Sequence, residues 1–167
     1  MLKRISVSKR HLVAITLSMF AALLFLATPV PAAETPQQQL ERAETLSAEA
    51  TVKATLALET GDLALAQEAQ TLAAEAADII SEVAEIAADT GDTALAQAAL
   101  NASVGVGEAT NIIVGAAETI AATSTDAETV AAASALATTA TTTAETTTTA
   151  QQTAMATGAS MAAAEEA

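Results

Sequence analysis

The sequence predicts an all-α protein, built as Ala-rich antiparallel helical hairpins or an up-and-down four-helix bundle that follows an N-terminal signal peptide. Apolar residues in the middle of the chain recur at alternating steps of four and three residues, which is the spacing of one helix face. Gly-Asp turns separate these stretches. Ala supplies 47 of the 167 residues and has the highest helix propensity. No segment alternates with the period of two that a half-buried strand requires.

Residues 1–32 have the pattern of a secretory signal peptide. Four basic side chains come first: Lys3, Arg4, Lys9 and Arg10. An apolar run over residues 12–30 follows, and small residues then favour cleavage after Ala32. The alternative is an uncleaved anchor, because the run is just long enough to span a bilayer. The rest of the chain is therefore expected to be exported, periplasmic or extracellular, or else anchored to the inner membrane by residues 12–30.

The remaining residues, 33–167, lack several chemically important side chains. They contain no His, Cys, Phe, Tyr or Trp, which excludes thiol nucleophiles, His or Cys metal ligation and aromatic stacking. They keep all 20 acidic residues but only two basic ones, Arg42 and Lys53, so their formal charge is −18. This charge disfavours binding to nucleic acid. We expect no enzyme activity, cofactor or specific metal site, although weak, diffuse binding of divalent cations is compatible with the acidity.

Four helices are expected, over about residues 36–59, 63–89, 93–122 and 127–150. Three turns separate them, and the candidate cap and turn residues are Gly61, Asp62, Gly91, Asp92 and Asp126. Gly suits the left-handed position that ends a helix, and an Asp carboxylate can accept hydrogen bonds from the free amides at a helix start. Connections this short require consecutive helices to be antiparallel.

The second and third predicted helices carry the packing stripes. The large apolar residues of these stripes are Leu65, Leu72, Ile79, Val83 and Ile86 in the second helix and Leu95, Val106, Ile113 and Ile120 in the third. Ala occupies positions between them, which should allow close approach of the helix axes. The third helix is expected to be the most buried. Its Gly105 and Gly107 indicate close helix contact or a kink; a ligand contact or a helix break are the alternatives.

The C-terminal region differs from the middle of the chain. Nine of the twelve residues from 138 to 149 are Thr, a β-branched residue with low helix propensity, and none is large and apolar. We therefore divide the expected domain into a helical bundle over residues 33–137 and a frayed helix or flexible tail over residues 138–167. A glycosylated stalk is the alternative interpretation of this segment.

Two functions are compatible with these features. The first is an exported, non-enzymatic structural or protein-interaction protein, which acts by helix packing with itself or with another helical protein. The alternative is an acidic cation-binding or surface-conditioning protein, suggested by the charge of −18. Association with a membrane is expected only if the N-terminal segment is retained.

Overall fold

The computed structural model describes residues 34–165, with side chains described as far as residue 160. The predicted signal peptide, residues 1–32, lies outside the described residues. The all-α prediction is confirmed, since four helices occupy the described chain. They are α1 (Pro36–Thr60), α2 (Leu63–Thr90), α3 (Thr93–Thr123) and α4 (Ala127–Glu165).

The first two connections are Gly-Asp turns with nearly the same geometry. Gly61 and Gly91 adopt left-handed backbone angles, with φ of 72° and 68°. The amide of Gly61 donates to the carbonyl of Ala57, and that of Gly91 donates to the carbonyl of Ala87. A side chain other than Gly would be strained at these φ values, so each Gly allows a helix to end where the next one starts.

Helices α2 and α3 form the centre of the bundle, and each packs against the other three helices. Helix α1 lies against one side of this central pair. Helix α4 lies against the other side, and α1 and α4 do not contact each other within the described residues. Consecutive helices are antiparallel, so α1 runs parallel to α3 and α2 runs parallel to α4. The burial expected for the third helix is thus shared with the second.

The core divides into two clusters along the bundle axis. Large side chains in the cluster near the α2–α3 turn are Leu40, Ile79, Ile80, Val83, Leu95 and Val106. Those in the cluster near the other two turns are Ile113, Ile120 and Leu136. Most of the other members are Ala with almost no exposed surface. Small side chains therefore occupy the positions where the helices approach most closely, in agreement with the expected role of Ala.

The buried face of α2 is wider than the predicted stripe. Ala66, Ala73 and Ile80 are essentially fully buried, whereas Leu65 and Leu72 are only partly buried beside them. The helix contacts three neighbours, so its buried face is wide and Ala fills its centre. Leu65 and Leu72 flank this centre and pack over its edges.

The Thr-rich segment departs from the prediction of a frayed helix or tail from residue 138. Helix α4 continues without interruption to Glu165. It buries one residue at every third or fourth position: Ala133, Leu136, Ala140, Thr143, Thr147, Ala150, Ala154 and Thr157. Thr serves in this series because its hydroxyl hydrogen-bonds within the helix; for example, Thr147 Oγ1 donates to the carbonyl of Thr143 at 2.9 Å. The polar group is satisfied, so the side chain can be buried.

From Pro36 to Glu165, none of the described helices combines the length and apolarity needed to cross a bilayer.

Candidate functional site

A set of polar side chains lies inside the bundle near the boundary between the two apolar clusters. Its members are Ser47, Gln70, Ser103, Thr110, Thr143 and Thr147, each at most 6% exposed. Every helix contributes at least one member. Buried polar groups lower stability unless they are hydrogen-bonded. We call these six residues the polar layer. Its hydrogen bonds show which helices it holds together.

Two glutamine amides link α4 to the central pair. Gln70 Nε2 on α2 donates to Thr143 Oγ1 on α4 at 2.7 Å. Gln151 Nε2 on α4 donates to Ser103 Oγ on α3 at 2.9 Å. Each accepting hydroxyl in turn donates to a carbonyl of its own helix. The other amide atom of Gln70, Oε1, is buried without a hydrogen-bond partner.

Ser47 of α1 packs directly against Gly105 of α3. A Cβ atom placed on Gly105 would lie 2.8 Å from Ser47 Oγ, a distance that requires one of the two to move. No such neighbour lies within 4 Å of a Cβ placed on Gly107 or Gly115. Helix α3 is continuous through these residues. Close helix contact, one of the expected alternatives, thus applies to Gly105 and not to Gly107.

The two basic residues of the described chain both link α1 to α2. Lys53 Nζ lies 2.8 Å from Glu68 Oε2 and 3.8 Å from Glu49 Oε1. The hydrogen bond to Glu68, together with its negative charge, raises the pKa of Lys53 above its ordinary value. Arg42 lies 3.6 Å from Glu75. These pairs are solvent-exposed, so they orient α1 without adding much stability.

The candidate cap residues stand at the helix starts. Asp62 Oδ1 accepts from the amides of Ala64 and Leu65, and Asp92 Oδ1 accepts from that of Leu95. Asp126 Oδ2 accepts from both the hydroxyl and the amide of Thr129, at 2.6 and 2.9 Å. These bonds lower the pKa of Asp126, with the hydroxyl contributing most.

The candidate packing residues fall into two groups. Those of α3 are all buried: Leu95, Val106, Ile113 and Ile120. In α2, Ile79 and Val83 are buried, while Leu65, Leu72 and Ile86 are partly buried at the edge of the core. The structure does not bring these residues together at one site. They divide between the two clusters and form the interior of the bundle.

Shallow grooves mark the surface of the described bundle. One, of about 220 Å³, lies between α3 and α4, beside Leu100 and Met155. Another, of about 360 Å³, lies on the outer face of α1. Within the described residues, no group of three acidic side chains is placed to hold a metal ion. A third groove, of about 300 Å³, lies between α1 and α2 and is lined by Glu49, Lys53 and Glu68 among others. The surface therefore offers apolar contact on the outer face of α1 and a small set of paired charges between α1 and α2.

Sequence reasoning missed the two glutamines that hydrogen-bond α4 to the central pair, and it missed the buried Thr positions of α4. For Thr143, Thr147 and Thr157 a signal was present, because they continue the three-and-four spacing begun by Ala133 and Leu136. This signal becomes visible only when Thr is counted among the residues that can pack in the core. For Gln70 and Gln151 the sequence carries no comparable signal, since their importance depends on which helices become neighbours.

Compared with protein families, curated proteins and solved structures, the chain matches none of them.

Proposed function

We propose that the protein is an exported, non-enzymatic interaction protein that acts through packing of its helices against a second copy or another helical protein. One observation carries this proposal. Val52 and Leu56, one helical turn apart on α1, are 67% and 44% exposed. They line the groove of about 360 Å³ together with Thr51, Thr55 and Glu59. We call these five residues the outer face of α1.

The position of α1 supports this assignment. Among the described helices, α1 contacts α2 and α3 alone, so its outer face lies away from the described core. Isolated apolar residues are common on protein surfaces, but two large ones in a shared groove form a patch that a partner helix can cover. Thr and Ala around such a patch allow close approach. The contact chemistry expected is therefore the same small-residue packing that joins the helices inside the bundle.

The charge of the chain determines how self-association should depend on salt. Residues 33–167 carry a formal charge of −18, so two copies repel each other at long range. Salt screens this repulsion, with a Debye length of about 10 Å at 0.1 M and about 3 Å at 1 M. Association through an apolar face should therefore strengthen as salt is added, whereas association through ion pairs would weaken.

Light scattering coupled to size exclusion tests the proposal on residues 33–167, at low and high salt. We expect a salt-promoted dimer that Val52→Glu abolishes. Val104→Glu is the matched control, because Val104 is a similarly exposed valine on α3, outside the outer face of α1. A photo-crosslinker at position 52 or 104, used in the producing cells, covers the case of another helical partner. A monomer at both salt concentrations, with equal crosslinking from the two positions, would contradict the proposal.

Export is tested separately from association. The N-terminal sequence of the protein recovered outside the cytoplasm should begin at Ala33. A protein that retains residue 1 and sediments with membranes would instead support the anchor formed by residues 12–30. The described residues provide no carboxylate cluster that would favour the cation-binding alternative.

A further inference from the structure

Residues 137–160 of α4, which we call its C-terminal half, are buried without large apolar side chains. Leu136 is the last such residue that the helix buries, and the buried positions from there to residue 160 are Ala140, Thr143, Thr147, Ala150, Ala154 and Thr157. The exposed side of the same half is also rich in Ala and Thr. Apolar area normally decides which face of a helix turns inward. In this half of α4 that preference is weak, because the faces resemble one another.

The two glutamine hydrogen bonds fall in this half of the helix. Thr143 accepts from Gln70 of α2, and Gln151 donates to Ser103 of α3. The two bonds thus reach two different neighbours from two levels of α4. The α3–α4 turn directly restrains the start of α4, about seven turns before Gln151. The bonds therefore restrain a part of α4 that neither the turn nor a large buried side chain restrains directly.

A shift of α4 by seven residues would remove both bonds and would place Thr129 or Thr143 at the buried position of Leu136. Gln70 would then face the position of Leu136 or Ala150, and neither side chain can accept a hydrogen bond. Gln151 would be replaced by Ala144 or Gly158, which cannot donate to Ser103 through a side chain. At most other buried positions the shift exchanges Ala with Thr. Beyond Leu136, hydrogen bonding therefore discriminates between registers that apolar packing barely distinguishes.

We propose that Gln70 and Gln151 form a polar clamp that fixes the rotation and register of the C-terminal half of α4. Its cost is visible in the buried Oε1 of Gln70, which has no partner. A buried polar group of this kind contributes orientation at the expense of stability. The clamp determines which residues of α4 meet solvent, including the exposed Thr138, Thr142, Thr149 and Gln152.

Hydrogen exchange of the purified protein, followed by mass spectrometry, tests the clamp with a neighbouring control. Gln151→Ala removes the bond to Ser103, whereas Gln152→Ala removes the adjacent exposed glutamine. Loss of one bond of ordinary strength should raise exchange over residues 143–160 by about tenfold in Gln151→Ala, with α1 unchanged. Equal exchange in the two variants over residues 143–160 would overturn the proposal.

The Gln70→Leu variant separates the effect of Gln70 on the position of α4 from its effect on the stability of the bundle. Replacing the amide by an apolar group of similar size removes the unpartnered Oε1, so the urea midpoint of the bundle should stay the same or rise. Exchange over residues 143–160 should nevertheless become faster, because Thr143 of α4 loses its hydrogen bond from α2. Gln67→Leu, at an exposed position on the same helix, should leave exchange in α4 unaltered. Unchanged or slower exchange in Gln70→Leu would mean that Gln70 does not position α4, and the clamp would be refuted.

Discussion

Helices α3 and α4 both bury one face in the bundle, but they do so with different side chains. Both bury residues at alternating steps of three and four, and they pack against each other along their length. The buried side of α3 contains Leu95, Val106, Ile113 and Ile120. That of α4 contains one leucine, Leu136, among Ala and Thr. The comparison shows that spacing and satisfied polar groups are enough to place a helix in a bundle.

The difference between the helices separates stability from orientation. A large buried side chain removes apolar area from water, at about 25 cal/mol per Å². Ala and Thr remove less area, and each Thr also restricts its own rotamers. Helix α4 should therefore add less to the free energy of unfolding than α3 does. Its position depends more strongly on directional contacts such as those of Gln70 and Gln151.

The largest expected effect comes from truncating a side chain of α3. Ile113 is completely buried in the second cluster. Ile113→Ala should lower the free energy of unfolding by about 2–5 kcal/mol, because it removes buried apolar surface and leaves a cavity. Thr147→Ala is the counterpart in α4, where the lost methyl group is offset by higher helix propensity, so its effect should stay below about 1 kcal/mol. Urea unfolding followed by circular dichroism measures both.

The decisive result is which of the two variants lowers the free energy of unfolding more. Val104→Ala, at a position 64% exposed on α3, controls for changes that involve no burial. If Thr147→Ala were as destabilising as Ile113→Ala, the two helices would contribute alike and the contrast between them would be wrong.

An intermediate effect is expected at the contact of α3 with α1. In Gly105→Ala the new Cβ meets Ser47 Oγ, whose movement would break its bond to the carbonyl of Glu44. Overpacking should exceed the gain in helix propensity, for a net loss of about 1 kcal/mol. Gly107→Ala has open space around the added Cβ and should instead stabilise the bundle by up to about 1 kcal/mol. Thermal unfolding compares the two.

A double variant identifies the cause. Ser47→Ala removes the oxygen that the new Cβ approaches, so adding it should recover most of the loss caused by Gly105→Ala. If the two substitutions had additive effects, contact between Gly105 and Ser47 would not explain the loss.

The sequence predicts the ends of α1, α2 and α3 to within a residue. For α1 and α2 the reason is that Gly61 and Gly91 end helices through backbone geometry that few other residues adopt. The sequence does not predict the full length of α4, since the hydroxyl bonds that make buried Thr acceptable form only once the helix exists. The pairing of Gln70 with Thr143 is also unpredictable from periodicity. It requires α2 and α4 to be neighbours, and a stripe shows that a face is buried without showing what covers it.

A smaller effect is expected at the start of α3. Asp92→Ala removes the hydrogen bond that the carboxylate accepts from the amide of Leu95. Loss of an N-cap of this type should lower the free energy of unfolding by about 1 kcal/mol. Asp92→Asn retains an acceptor oxygen and should recover most of that loss in urea unfolding. Equal destabilisation by Ala and Asn would indicate that charge, rather than the cap bond, is responsible.

The smallest effect is local and concerns the start of α4. The hydroxyl and amide of Thr129 hold the pKa of Asp126 below its ordinary value of 3.8. A carboxyl whose pKa is lowered by folding stabilises the folded state above its unfolded pKa, and this contribution disappears as pH falls through the folded pKa. The first turn of α4 should therefore loosen only in strong acid. Global unfolding cannot report this, because protonation of the other carboxylates also relieves repulsion in a chain with so large an acid excess.

The amide proton of Thr129 is the appropriate probe, since it donates to Asp126 Oδ2. Its NMR chemical shift should titrate with a midpoint below 3.8, and Asp126→Asn should abolish that titration. A midpoint at or above 3.8 would show that the bonds from Thr129 do not stabilise the charged carboxylate. The start of α4 would then lack the cap that Asp92 provides for α3, and its attachment to the bundle would depend still more on Leu136 and the two glutamines.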